Sequence, residues 1–354
     1  MTIVFAIILF SLLIFVHELG HFVAAKASGV QVNEFSMFMG PAIWKKQKGQ
    51  TLYSIRCIPI GGYCAMEGED TDTDSPNSFQ KAAWWKRLII LAAGSFMNLV
   101  VGILLFAIVF GSVYTSFPTT KIDSFSDCSI VQGESMLMPG DRILQIDGET
   151  LFVTDDFSMI LFVHGDRKTH DVVVERGGKR LNLANVPLLP HSHTEEDQTY
   201  SHYGVSFATE EANLLSGLGY TLRHVASTVN SVRLSLVMLL TGKAGLSDMS
   251  GPVGIVQQMS TVADAAGNWV DALLNLLYFG GYIAINLAVM NLLPIPALDG
   301  GRIVALLLTT GIEKITRRKI NPKIEGYIHG AGMIMLLALM AVIMFKDIFV
   351  IFKG

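Results

Sequence analysis

Charge is what this chain has least of. Asp, Glu, Lys and Arg make up 16% of its 354 residues, against roughly 25% in a soluble globular domain. That deficit excludes an ordinary soluble protein and leaves an integral membrane protein with some water-exposed mass. A positive excess is missing too: the formal net charge is −4, so no global basic field points to nucleic acid as a partner. Cysteine is equally scarce. Cys57, Cys64 and Cys128 are too few and too scattered for a disulfide framework, and Cys57 and Cys64 have neither CxxC spacing nor a neighbouring His to make a metal site. The N-terminus lacks a basic leader and a small-residue cleavage site, so its apolar run reads as a retained span rather than a signal peptide.

Apolar sequence is what the chain has in abundance, 51% of all residues. It is concentrated in four stretches, 1–27, 88–113, 272–308 and 330–352, each reaching the roughly 20 residues that a bilayer crossing requires. The expected fold is therefore a multi-pass α-helical membrane protein with four transmembrane helices. The third stretch is a broken one, because Pro294 and Pro296 remove backbone donors and Gly300 and Gly301 loosen the backbone beyond them. Loop charge sets the orientation. Lys45, Lys46, Lys48, Arg56, Lys81, Lys86 and Arg87 lie in the loop 28–87, and Lys314, Arg317, Arg318, Lys319 and Lys323 in or beside the loop 309–329. Both loops belong on the cytoplasmic side, with the two termini and the long segment 114–271 facing outward.

Within the first loop, residues 51–60 are strand-like and run into Gly61-Gly62, and the acidic run from Glu67 to Pro76 reads as a solvated loop without EF-hand spacing. In the outward segment, residues 138–150 predict a turn, a strand, an Asp147-Gly148 hairpin turn and a second strand. Residues 171–183 predict another hairpin around Gly177-Gly178, which together make a small inserted β-domain within 114–190. A linker and helices occupy 191–271. His191 and His193 form a weak metal pair with no third ligand, and residues 213–241 read as an amphipathic helix, either on the membrane surface or a plain connector.

The chemistry sits in the first span. His17-Glu18-Leu19-Gly20-His21 places two imidazoles four residues apart, on one face of a helix. Two such His hold a zinc ion, and the Glu between them serves as general base toward water. Ionisable groups in a hydrocarbon helix cost about 2.5–3.5 kcal/mol each on insertion scales, and metal binding offsets that. A third ligand is needed at membrane depth. Asp299 is the acidic residue of the later spans that stands apart from an interface charge cluster. His17 lies about 15 residues, or roughly 22 Å, from the outer end of its span, and Asp299 lies near the inner end of the broken one. Both fall in the cytoplasmic half of the bilayer. A broken helix at that depth is tolerated where it lines a cavity, and a zinc hydrolase needs one for water. Three readings compete: a zinc endopeptidase, a non-catalytic membrane zinc receptor or scaffold, and a prenyl-protein-type membrane metalloprotease. Glu18 argues against the second. The absence of a later E-x-x-x-D pattern argues against the third.

Three motifs together resemble the bacterial site-2 proteases, in their regulator-of-sigma-E branch: the His17–His21 motif, Asn291-x-x-Pro-x-Pro-x-Leu-Asp-Gly300, and Ser250-Gly-Pro-Val-Gly-Ile255. Residues 138–150 resemble the core of a PDZ domain, although residues 131–138 replace the usual small-residue helix before the turn. The resemblance implies zinc-dependent proteolysis inside the membrane, with His17, His21 and Asp299 as ligands and Glu18 as the catalytic base. It further implies single-span substrate proteins shortened beforehand on the outside, such as anti-sigma factors or remnant signal peptides. Asn291 would bind the substrate backbone, and the strand ending at Gly61 and Gly62 would pair with an unwound substrate. A single PDZ-like domain would bind a peptide or act as a size filter.

Overall fold

The computed structural model describes residues 2–69, 73–126, 136–195, 198–245, 248–316 and 322–353. In chain order, α1 (Thr2–Ser28) leads to a long hairpin, β1 (Val32–Lys48) and β2 (Thr51–Met66), and then to α2 (Trp84–Val113). A β-rich stretch comes next: β3 (Ser116–Phe125), β4 (Arg142–Ile146), β5 (Glu149–Thr150), α3 (Asp155–Val163), β6 (His170–Arg176), β7 (Lys179–Val186), β8 (His191–Glu195), β9 (Gln198–His202) and β10 (Val205–Glu211). Five helices complete the described chain: α4 (Leu214–Leu240), α5 (Pro252–Asp264), α6 (Trp269–Asn291), α7 (Asp299–Thr316) and α8 (Pro322–Lys353). Two compact units result, Met1–Leu105 with Leu246–Gly354, and Phe106–Gly245.

Among the described residues, four helices are long and apolar enough to cross a membrane: Ile3–Ser28 of α1, all of α2, all of α6, and Gly326–Phe349 of α8. The expected broken stretch, 272–308, is divided between α6 and α7. The chain leaves helical geometry after Asn291 and starts a new helix, α7, at Asp299. The prolines predict the break; the glycines do the opposite of loosening. Cβ atoms at Gly300 and Gly301 would fall 2.2 Å from the Leu292 carbonyl oxygen and 2.3 Å from that of Ile295, so these glycines let the connecting turn lie flat against the first turn of α7.

In the first unit, α1 is apolar on all sides, as a helix buried in an apolar medium should be. It ends where Gly29 takes a left-handed conformation, φ +81°, and the Val30 amide closes onto the Ala25 carbonyl at 2.9 Å. Gly20 lets α2 approach closely, since a Cβ there would lie 2.4 Å from the Ala93 carbonyl oxygen. The hairpin also departs from expectation. β2 does not end at Gly61-Gly62 but turns back there, so that β1 residues pair on both sides: Phe35 faces Tyr53 on one flank and Cys64 on the other. Gly61, at φ +80°, supplies the left-handed backbone that the reversal needs.

The second unit carries an antiparallel sheet in the order β10-β3-β4-β6-β7, with β5 paired to β4. Asp147 and Gly148 both have positive φ, 50° and 85°, the signature of a tight two-residue turn. Gly177 and Gly178 make the second such turn. Ile143, Ile146, Val172 and Val174 are buried on one sheet face against Phe157 and Ile160 of α3. α4 begins on an Asn213 capping box, in which the Asn213 side chain accepts from the Ser216 amide and the Ser216 hydroxyl accepts from the Asn213 amide. The strands β3 and β10 and the helix α3 had no clear signal in the sequence pattern.

Candidate metal centre

Helix α1 presents His17 and His21 one turn apart, and the start of α7 brings Asp299 to them. The two imidazole Nε2 atoms are 3.2 Å apart. Asp299 Oδ2 stands 3.2 Å from His17 Nε2 and 3.3 Å from His21 Nε2. Three ligand atoms therefore form a nearly equilateral triangle. Ligands bound at about 2.0–2.1 Å in a tetrahedron stand roughly 3.3 Å from one another, so the triangle has the dimensions of one face of a zinc site.

The donor chemistry agrees with the spacing. His21 Nδ1 donates to the Ile90 carbonyl oxygen at 2.8 Å, because a carbonyl can only accept. A neutral ring then has a lone pair on Nε2, facing the triangle. At 3.2 Å the two Nε2 atoms cannot each hold a proton between them. Asp299 Oδ2 is a buried oxygen without a hydrogen-bond partner. Buried acceptors converging on one point cost free energy unless a cation lies among them. These residues fit zinc.

Glu18 stands beside the triangle without joining it. Its Cγ would lie 3.7 Å from a Cβ at Gly62, which puts the carboxylate side chain against β2. Gly62 is thus brought to the site. Gly61 faces Met39, whose Cε would be 2.9 Å from a Cβ there. Asn291 closes α6 and its side chain makes no hydrogen bond among the described residues.

Among the described residues, no thiol joins the centre. Cys57 is exposed and Cys64 buried, both free; Cys128 and residues 131–135 lie outside the described residues. His191 and His193 fall on β8, where the side chains lie outside the described residues too. The acidic run is not wholly solvated. Glu69 pairs with Arg302 on the first turn of α7, and Glu67 accepts from Asn33 and Thr73. The later spans hold a second buried acid, which pairs with its neighbour Lys346 at 3.2 Å. Asp347 of α8, 5% exposed, accepts the Gly251 and Gly254 amides at 2.9 Å each.

Three α2 residues around the triangle were missed by sequence reasoning: Ile90, Gly94 and Asn98. A Cβ on Gly94 would fall 2.4 Å from His21 Nε2 and 2.7 Å from His17 Cε1. Asn98 contacts His17. The signal available was Asn98 itself, a polar side chain within an apolar span.

Comparison with known proteins gives a consistent result. The profile of peptidase family M50 matches residues 5–339. A Clostridium perfringens protein named as a candidate zinc metalloprotease is 35% identical over 350 residues, covering 98% of each chain. The regulator of sigma-W protease RasP of Bacillus subtilis is 27% identical over 431 residues, again covering 98% of each. The zinc metalloprotease RasP of Bacillus licheniformis is 25% identical over 430 residues, with the same coverage.

Proposed function

This chain belongs to peptidase family M50 and is a zinc metalloendopeptidase with membrane helices, and on that premise we propose that it cuts peptide bonds inside the bilayer, with His17, His21 and Asp299 holding the zinc. The carrying observation is the triangle of His17, His21 and Asp299 built on a helix that is long and apolar enough to span. Zinc supplies Lewis-acid polarisation of a carbonyl and lowers the pKa of water to about 7. The remaining work falls to the chain's own residues. Glu18 takes the proton from the attacking water and passes it to the leaving amine. Its place outside the ligand triangle leaves it free for both steps.

A peptide bond within a helix is shielded, so a substrate segment must become extended before it is cut. The hairpin strand at Gly61 and Gly62, next to Glu18, supports a role in holding such a segment through its backbone. Asn291 is assigned to substrate binding on motif position alone. The proposed substrates are single-span membrane proteins already shortened outside, anti-sigma factors or remnant signal peptides; the sigma-W name of the Bacillus subtilis relative supports the first. Membrane lipid is the other partner, which suits side chains such as Ile334 and Phe345 of α8, 72% and 70% exposed. The basic loops argue for an inner-membrane protein whose termini and PDZ-like domain face outward and whose site lies in the cytoplasmic half. There the PDZ-like domain binds a peptide or filters substrates by size.

Glu18→Gln is expected to retain zinc and lose turnover by at least about 100-fold, the scale of a general base. His17→Ala and Asp299→Asn are expected to lose zinc. Undiminished turnover in Glu18→Gln, or full zinc occupancy in the ligand variants by elemental analysis, contradicts the assignment.

A further inference from the structure

Helix α2 backs the metal centre with three residues at four-residue spacing, Ile90, Gly94 and Asn98, which share one helical face. Ile90 supplies the carbonyl that takes the Nδ1 proton of His21 at 2.8 Å. Gly94 supplies the space for both rings. Asn98, two turns beyond Ile90, is 1% exposed, and its Nδ2 lies 3.4 Å from His17 Nδ1. Its Oδ1 is buried and has no hydrogen-bond partner.

That arrangement conflicts with the use of His17 as a ligand. An amide NH2 aimed at Nδ1 makes Nδ1 the acceptor and puts the proton of a neutral ring on Nε2, the atom that faces Asp299. An orphaned buried oxygen and a misplaced ring proton have one common remedy. The oxygen and nitrogen of a side-chain amide exchange places by a half-turn about its last torsion, with no change in shape. After the half-turn, Oδ1 accepts from His17 Nδ1–H, the orphan is satisfied, and Nε2 presents a lone pair to the triangle.

We propose that Asn98 is a positioning residue for His17, accepting its Nδ1 proton through the amide oxygen as the Ile90 carbonyl does for His21. The inference rests on His17 being a zinc ligand. Both imidazoles then hang from α2, one from a backbone carbonyl and one from a side chain. Only the His17 support can be altered by mutation without touching the backbone.

The test is zinc affinity of the full chain in detergent, by competition with a chromophoric chelator and the metal alone as probe. Asn98→Leu removes the acceptor and is expected to weaken zinc binding roughly 10–100-fold, the usual effect of losing a group that orients a ligand. Asn98→Asp keeps an acceptor at the same position and is expected to bind at least as tightly as the natural chain. If Asn98→Leu does not fold, Asn98→Ser, too short to reach Nδ1 and without added bulk, takes its place with the same expected loss. Unchanged affinity in Asn98→Leu or Asn98→Ser overturns the inference, as does a tenfold or greater loss in Asn98→Asp, since that variant fails only if the amide acts as a donor. His17→Ala is the separate control: full affinity there would refute His17 as a ligand, whatever the Asn98 variants show.

Discussion

The Nδ1 proton of His21 has one destination, the Ile90 carbonyl, and that single hydrogen bond decides which ring nitrogen is left for a metal. At this scale the site depends as much on a missing side chain as on those present. Gly94→Ala is expected to place a methyl group where His21 Nε2 and His17 Cε1 now lie, lowering zinc affinity roughly tenfold or more, on the scale of disturbed ligand support, while α2 stays helical. Chelator competition together with circular dichroism checks both halves. That His17, His21 and Asp299 come together was legible in the sequence, because ionisable groups are out of place in apolar runs and the types and spacing of these suit zinc. Gly94 was not, since a glycine in a span carries no sign of what it faces. Its meaning appears only once α1 and α2 approach at Gly20 and Ala93.

Among the elements, α5 and α8 are joined by a carboxylate. Asp347 accepts two amides at the start of α5, where an acceptor satisfies donors that the helix leaves open and an anion meets the positive end of the helix dipole. Asp347→Ala is expected to cost about 1–2 kcal/mol, as the loss of a helix cap does, and to lower the thermal unfolding midpoint of the full chain in detergent. An unshifted midpoint would show the contact to be idle. α5 lay in a resemblance motif, but its helix had no separate signal. Residues 213–241, by contrast, were legible as a helix from their periodicity, and α4 matches them closely.

α4 also carries a pH-sensitive group. His224 is buried among Phe106, Phe110 and Tyr220. That burial pushes its pKa down from 6.5 to about 4, against the opposing charge of Asp156. The unfolded chain then takes up a proton before the folded one does. The contribution to stability is complete above about 6.5 and declines as pH falls toward about 4. Hydrogen exchange of α4 amides, corrected for intrinsic rates, is expected to show protection falling across that window and a flatter profile in His224→Phe. An equal slope in the variant assigns the effect to another group.

Across the whole molecule, the concentration of apolar sequence made legible the four described helices that are long and apolar enough to cross a membrane, because hydrocarbon thickness asks the same length of any chain. The β1–β2 hairpin and the edges of the central sheet were less so. Their pairing depends on residues distant in sequence, and β2 in particular changes partner flank within one strand. The central claim concerns where the peptide bond is cut. The most direct test reconstitutes the natural chain and Glu18→Gln in vesicles with a single-span substrate lacking its outer domain, and maps the product termini by mass spectrometry. New termini within the apolar segment, formed by the natural chain and not by Glu18→Gln, are the predicted result. Cleavage confined to the water-exposed flanks, or equal cleavage by Glu18→Gln, would contradict it.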